Sequence, residues 1–352
     1  MLNLNGKYLN GGSMERTVNT SNVQVAGFEP AVMWHAVLGD DAVAEQLKTA
    51  MFKRGKHKSY RSGLWHFLFH FALERQAVVR ALIKGTWAFS WCDGVRLQGR
   101  KEWVAVRPYL DRFVVSLVRI YLTSVLRAVL AKNNYYARAG RGRKVALKDF
   151  MAAREQYSYV FKTDVRSYYA SIDQARLLAK LSRYVPQSVL KLVKDIINPV
   201  IHVNGIWYQS GQGIPVGCGL SPLLAEFYLA DLDGKFSEDG CQNNFYYQRY
   251  ADDILLLARS NHALKRGIKT IRRILSQQGL GTRYYKTFVG RLHQVVAYLG
   301  YRVFPNGTVG VSRESIAKRR LNELQRKAQG ASDDELCSYR KRWLQSFSVV
   351  AG

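Results

Sequence analysis

Phe245-Tyr246-Tyr247-Gln248-Arg249-Tyr250-Ala251-Asp252-Asp253-Ile254-Leu255-Leu256-Leu257 runs from an aromatic-rich segment, over two adjacent carboxylates, into an unbroken apolar run. Aromatic and branched apolar residues favour strands, so the stretch predicts a β-hairpin with Asp252 and Asp253 at its turn. Adjacent acids are common in themselves. Asp40-Asp41 and Asp333-Asp334 have no strand on either side and read as helix-end or loop pairs. The flanking strands set Asp252-Asp253 apart: one reading is a turn with two exposed acids, the other a metal site, since paired carboxylates meeting a third acid can hold two Mg²⁺ ions and drive phosphoryl transfer.

The third acid is upstream. Residues 159–165 read as a strand that delivers Asp164 near its end, and in an antiparallel sheet that end can meet the hairpin turn. Between them, Ser171-Ile172-Asp173-Gln174 has the spacing of a capping box, and Asp173 reads as a helix-start charge rather than a ligand. A turn-rich segment, 211–219, leads to Ser221-Pro222, which predicts Ser as N-cap and Pro as first residue of a helix to about Asp233. Beyond the hairpin, 262–278 reads as a basic amphipathic helix, 284–288 and 295–304 as strands, and 312–347 as a basic helix. Upstream, 31–84 reads mainly as helix, 102–106 as a strand and 111–130 as an apolar helix, with 138–144 as a Gly/Arg loop that is either a solvated basic loop or a phosphate contact.

Composition favours a nucleic-acid partner, and by itself equally admits a ribosome-like or merely soluble basic protein. The 352 residues carry 53 Lys+Arg against 26 Asp+Glu, a formal charge of +27 that favours a polyanionic partner. With 47% hydrophobic and 12% aromatic residues, a folded core is expected. Cys92, Cys218, Cys241 and Cys337 form no CxxC pair, which points away from a disulfide framework or zinc ribbon and fits a reducing cytoplasm. No apolar run reaches bilayer length, so no membrane partner is expected, and residues 1–30 read as a loose leader.

These segments together resemble the reverse transcriptases. Phe161-Lys162-Thr163-Asp164-Val165-Arg166-Ser167-Tyr168-Tyr169 resembles the first catalytic motif of their palm. Gly213-Ile214-Pro215-Val216-Gly217-Cys218-Gly219-Leu220-Ser221-Pro222 resembles the second, and Tyr250-Ala251-Asp252-Asp253 the third. Lys286-Thr287 resembles the fourth, and Tyr298-Leu299-Gly300-Tyr301 the primer-grip turn. Upstream, 107–112 and 136–142 resemble finger motifs of bacterial members, among which diversity-generating, group II intron, retron and defence-associated enzymes look most similar. Val216 stands where most of the family has Gln, as in the diversity-generating enzymes, where an aliphatic residue accompanies error-prone copying. Ser221-Pro222 instead follows the group II pattern. There is no room for a maturase extension plus endonuclease, so self-contained intron mobility is not expected.

The resemblance implies an α+β right-hand polymerase with a ferredoxin-like antiparallel palm sheet. On this reading 31–155 are fingers with N-terminal helices, 156–305 the palm with a finger-contributed insertion, and 306–352 a basic helical thumb. It implies RNA-directed DNA synthesis with two Mg²⁺, Mn²⁺ being a substitute. Asp164, Asp252, Asp253 and the Val165 carbonyl are the expected metal ligands, Asp253 less firmly because neighbours on a strand point apart. Lys286 would protonate or neutralise the leaving pyrophosphate. Tyr169 is the expected gate against a ribose 2′-hydroxyl, beside Val216 and Gly217 at the nucleotide. Arg100, Lys101 and Arg107 would grip the triphosphate. Arg138, Arg141, Ser221, Pro222, Tyr298, Leu299, Gly300, Lys318, Arg319 and Arg320 would meet template or primer. Expected partners are an RNA template, a DNA or RNA primer, dNTPs, and a structured non-coding RNA or accessory protein. Two other readings remain: a defence-associated polymerase with untemplated or protein-primed synthesis, and a catalytically silent nucleic-acid-binding protein.

Overall fold

The structure, a computed structural model, describes residues 29–56, 63–96, 103–136, 142–237 and 244–348. Its chain divides into two compact units, each assembled from separated stretches: Met1–Ala131, Arg166–Gly234 and Leu275–Leu280 in the first, Lys132–Val165, Lys235–Ile274 and Gly281–Gly352 in the second.

In the first unit the helix Tyr109–Leu126 is the central pillar. Phe113, Val114, Leu117, Val118, Tyr121 and Leu122 recur at helical spacing, and all are buried. Trp34 of the helix Pro30–Gly39 meets Tyr121 edge-on at 5.3 Å, and the Tyr121 hydroxyl donates to Pro30 O at 3.0 Å. The 31–84 region is helical as expected, broken into Pro30–Gly39, Asp41–Gly55, Gly63–Phe69 and Phe71–Ile83. Asp40 caps the second of these through the amides of Ala42 and Val43. A four-stranded sheet joins β1 (Cys92–Arg96), β2 (Trp103–Val106), β4 (Ile201–Val203) and β5 (Ile206–Tyr208) in the order β2-β1-β4-β5.

Asp111 is buried in this unit, accepting from Ser90 N at 3.0 Å. Burial pushes its carboxyl up to about 6, against the opposing pull of the Ser90 amide and Arg107. The folded state therefore keeps a proton that the unfolded chain releases, and stability falls as pH rises from about 4 to about 6, then levels. Asp111→Asn is expected to abolish that slope, on the order of 2 kcal/mol across the window. Urea midpoints at pH 4.5 and 7 measure it; an unchanged slope would reject the assignment.

The second unit is built on an antiparallel sheet of β3 (Tyr159–Asp164), β6 (Phe245–Tyr250), β7 (Asp253–Ala258) and β8 (Phe288–Arg291), in the order β6-β7-β3-β8. β7 is an unbroken apolar run because both its faces are covered. Leu255 and Leu257 pack with Leu147 and Phe150 of the helix Arg143–Ala153 and with Tyr298. Leu256 faces the helix Asn261–Gln277, where a Cβ on Gly267 would lie 2.5 Å from the Leu256 Cδ2. A three-stranded sheet, β11-β10-β9 (Val309–Val311, Tyr301–Val303, Val296–Tyr298), leads to helices Arg313–Ala328 and Asp333–Phe347. Arg143 and Lys144 donate to Ser346 O and Gln345 O, so two cations cap the last carbonyls of the final helix.

Several local expectations change. Asp173, not Ser171, caps the helix Gln174–Leu181, accepting from Arg176 N, because Ser171 ends the short helix Tyr168–Ser171. Ser221 is already inside its helix, which runs only over Ser221–Tyr228; its hydroxyl donates back to Pro215 O at 2.7 Å. Residues 284–286 form a 3₁₀ turn rather than a strand, and the strand starts at Phe288. The 312–347 helix is two helices, separated where Gly330 takes a φ of 84° and Ser332 with Glu335 forms a capping box.

Candidate active site

The sheet brings the three acids to one end of its central pair. In the β3–β7 ladder Asp164 lies directly opposite Asp253, so both side chains leave the same face. Tyr250 pairs with Asp253 across a two-residue turn, Ala251-Asp252, whose first residue is left-handed (φ 53°). Val165 N donates to Asp252 O at 3.0 Å, which ties the turn to the end of β3. Beneath the turn sits Arg249, fully buried. Its guanidinium donates to Ala251 O at 2.8 Å, while its backbone exchanges bonds with Asn133 O and Tyr135 N, both 3.0 Å.

Electrostatics separate the acids. Burial raises Asp252, and the Asp164 charge raises it further, while Lys286 and Arg283 pull it back. Burial also pushes Asp253 up to about 6, where Lys162, its Nζ 3.8 Å from Oδ1, is the leading opposing charge. Asp164 is only 3% exposed. Lys286 Nζ donates to its Oδ2 at 2.7 Å, and Arg283 Nε stands 3.3 Å from Oδ1, an oxygen with no hydrogen bond. Arg283 N also donates to Asp164 O at 2.8 Å, and Thr287 Oγ1 meets Thr163 Oγ1 at 2.7 Å, so the 281–287 segment is laced to β3.

These donors fit a hard divalent cation: they are carboxylates, with Asp252 and Asp253 both raised by the neighbouring Asp164 charge, and with one buried oxygen of Asp164 lacking a hydrogen bond. Among the described residues no three His, Cys, Asp or Glu side chains already converge as a cage. The positive charge at Asp164 comes instead from Lys286 and Arg283.

The second-motif turn belongs to the first unit and closes on Tyr169. Ile214 N donates to Tyr169 O at 2.9 Å, Gly213 N to Ile172 O at 3.0 Å, and Gln174 Nε2 to Gly213 O at 2.8 Å. Gly213 has a φ of 75°, and a Cβ there would lie 2.9 Å from Tyr169 O and from Ala170 Cα, so only glycine fits. Tyr169 is half-buried, its ring edge-on to Tyr168. Val216 is half-buried in the same turn, next to an exposed Gly217 whose Cβ would meet Val104 at 2.7 Å.

Other expected contacts are placed differently. Arg107 is buried, and its guanidinium donates to Asp195 O and Ile196 O at the end of the helix Gln187–Ile197; that leaves it committed to a helix C-terminus rather than to a triphosphate. Tyr298 is core, packed edge-on against Phe150, and Leu299 is buried in the left-handed pair Leu299-Gly300 (φ 49° and 85°). Gly300 O accepts from Ser312 N at 2.8 Å, so the turn is stapled to the start of the helix Arg313–Ala328. On that helix Lys318 and Arg320 are exposed, whereas Arg319 bonds Glu323 at 2.9 Å and stacks on Trp343. Ser221 is buried and spent on the preceding turn; Pro222 is the second residue of its helix. Arg100, Lys101, Arg138 and Arg141 lie outside the described residues. Sequence reasoning missed Arg249 and Arg283. No spacing distinguishes either from the other basic residues; only the hairpin register and the 281–287 turn reveal them.

Antiparallel strands with acids opposed at one end of the central pair define a polymerase-type palm, and the comparisons agree. A family model described as reverse transcriptase (RNA-dependent DNA polymerase) matches residues 100–303, more than half of the chain. The chain belongs to that family. It is 23% identical over 177 residues to the retron Ec73 reverse transcriptase of Escherichia coli, covering 47% of this chain and 53% of that enzyme. It is 24% identical over 151 residues to an uncharacterized 91 kDa protein in the cob intron of Schizosaccharomyces pombe, covering 41% of this chain and 19% of that protein. The chain thus spans about half or less of the curated relatives' length. Among solved structures, apo telomerase from Candida tropicalis is similar with a TM-score of 0.50 at 13% identity, covering 70% of this chain and 53% of that one. The fold is the α+β right-hand fold of the reverse transcriptases. No helix among the described residues is long and apolar enough to cross a membrane.

Proposed function

We propose that this chain is an RNA-directed DNA polymerase that extends a primer 3′-hydroxyl with dNTPs on an RNA template. The observation carrying this is the opposed pair Asp164 and Asp253 with Asp252 tied to Val165 between them. Asp164 and Asp252 would hold two Mg²⁺ ions, with Asp253 and the Val165 carbonyl as further oxygens. Bound there, the ions supply activation of the hydroxyl and neutralisation of the triphosphate. The chain's own residues orient those carboxylates, exclude water from Asp164, and bring the Lys286 ammonium to the reacting end. From there Lys286 can donate a proton to, or neutralise, the departing pyrophosphate.

Fingers over 31–155, palm over 156–305 and thumb over 306–352 are the working division. Lys318 and Arg320 are exposed on the thumb helix and suit salt-sensitive contact with a duplex backbone. Partners of this reading are an RNA template, a primer, and a structured RNA or an accessory subunit. Val216 in the Gly213–Gly217 turn supports error-prone copying as in the diversity-generating members. Tyr169, fixed through its carbonyl to Ile214, is the gate against ribonucleotides. Tyr169→Ala is expected to raise rNTP relative to dNTP incorporation by at least about tenfold, the effect of roughly 1.4 kcal/mol of lost discrimination. Single-nucleotide extension with each substrate reads it, and a variant that still refuses ribonucleotides would remove that role. Primer extension on an RNA template, with each dNTP alone and all together, tests the main proposal: incorporation should follow the template base.

A further inference from the structure

Both oxygens of Asp164 face cations from one short segment. Val165 and Thr282 form an isolated antiparallel bridge, and Arg283 N donates to Asp164 O, so the backbone of this segment is anchored without any side chain. The 3₁₀ turn Tyr284–Lys286 then returns Lys286 to Oδ2 at 2.7 Å, while Arg283 Nε stands 3.3 Å from Oδ1. Oδ1 has no hydrogen bond, so Arg283 is held there by charge rather than by a directional bond. Both cations reach solvent: Arg283 is 26% and Lys286 45% exposed along the side chain, over a carboxylate that is 5% exposed. Between them, Tyr284 and Tyr285 are exposed and bury almost nothing, with the Arg283 guanidinium 5.8 Å over the Tyr285 ring. The segment therefore has little apolar packing to hold its side chains in one arrangement.

A divalent cation needs the same Asp164 oxygens that Lys286 and Arg283 face. It can take them only if these two charges leave, and they leave at lowest cost toward an anion. A nucleoside triphosphate carries several negative charges and suits both an arginine fork and a lysine ammonium. We propose that Arg283, with Lys286, is an ion-exchange clamp: it keeps Asp164 closed to divalent cations until a triphosphate draws both side chains away, so the ion loads only together with nucleotide. Arg283 is thus a positioning residue for the reaction, and the proposal rests on the reading of Asp164 as a metal ligand.

The test counts Mn²⁺ bound to the purified full chain, by the electron paramagnetic resonance signal of the free ion, with and without dNTP and with no primer. Without nucleotide, Arg283→Gln is expected to bind an Asp164-dependent Mn²⁺ at least about fivefold tighter than wild type, while Arg283→Lys, which keeps the charge, stays near wild type. Adding dNTP should close the gap. Lys286→Gln should show the same gain, and serves if Arg283→Gln does not fold. Equal or weaker apo binding by both Gln variants would overturn the clamp even if Asp164→Asn abolishes the site. If Asp164→Asn leaves Mn²⁺ binding unchanged in the Arg283→Gln background, the ligand reading itself fails and takes the clamp with it.

Discussion

Asp164→Asn is expected to lower dNTP incorporation by at least about a thousandfold, some 4 kcal/mol of transition-state stabilisation, with the fold intact. Asparagine keeps the size and one acceptor but cannot supply the charge a hard cation needs. Stability should change little, because opposing effects accompany the substitution. Lys286 and Arg283 lose their partner, but both are part-exposed and can turn to solvent. Asp252 meanwhile loses the Asp164 charge that raises it. Denaturation midpoints should therefore stay close to wild type while primer extension disappears. A variant retaining a tenth of wild-type extension would remove Asp164 from the chemistry.

Arg249→Met carries the second large effect, this time through the fold. The methionine fills much of the arginine stem but withdraws the guanidinium's hydrogen bond to Ala251 O from a fully buried position. Loss of a charged hydrogen bond and an unsatisfied carbonyl should cost about 2–3 kcal/mol. Ala251 already sits at φ 53°, a region unfavourable for a residue with a Cβ, and without the guanidinium the turn can relax. That moves Asp252 relative to Asp164, and a shift of about 1 Å at a reacting centre can cost roughly a hundredfold in rate. Chemical denaturation and primer extension on one preparation read both effects. A midpoint and a rate both near wild type would show that the turn holds itself.

The hairpin was legible because its signals are local. An aromatic run, two acids and an apolar run give strand, turn and strand, and Asp164 ends a strand of its own. The helices were legible as segments but not at their ends. Gly330 and the Ser332–Glu335 box were present in 312–347, yet the basic pattern runs on across them. Ser221 looked like a cap because its neighbour is Pro222; the long-range demand of the Pro215 carbonyl took its hydroxyl elsewhere. Basic side chains were the least legible. Arg107 read as a phosphate grip and bonds a helix end, whereas Arg249 and Arg283 carried no signal and stand against the Ala251 carbonyl and the Asp164 carboxylate. A guanidinium's partner is decided by packing between distant segments, which residue spacing alone does not encode.

The most direct measurement is single-nucleotide extension of a primed RNA template by the purified chain with Mg²⁺, offering each dNTP in turn over four templates that differ at the next base. The account expects incorporation that follows the complementary base, and none from Asp164→Asn. Incorporation independent of the template base would contradict templated synthesis, and none from the unaltered chain would contradict the catalytic reading of the Asp252-Asp253 hairpin.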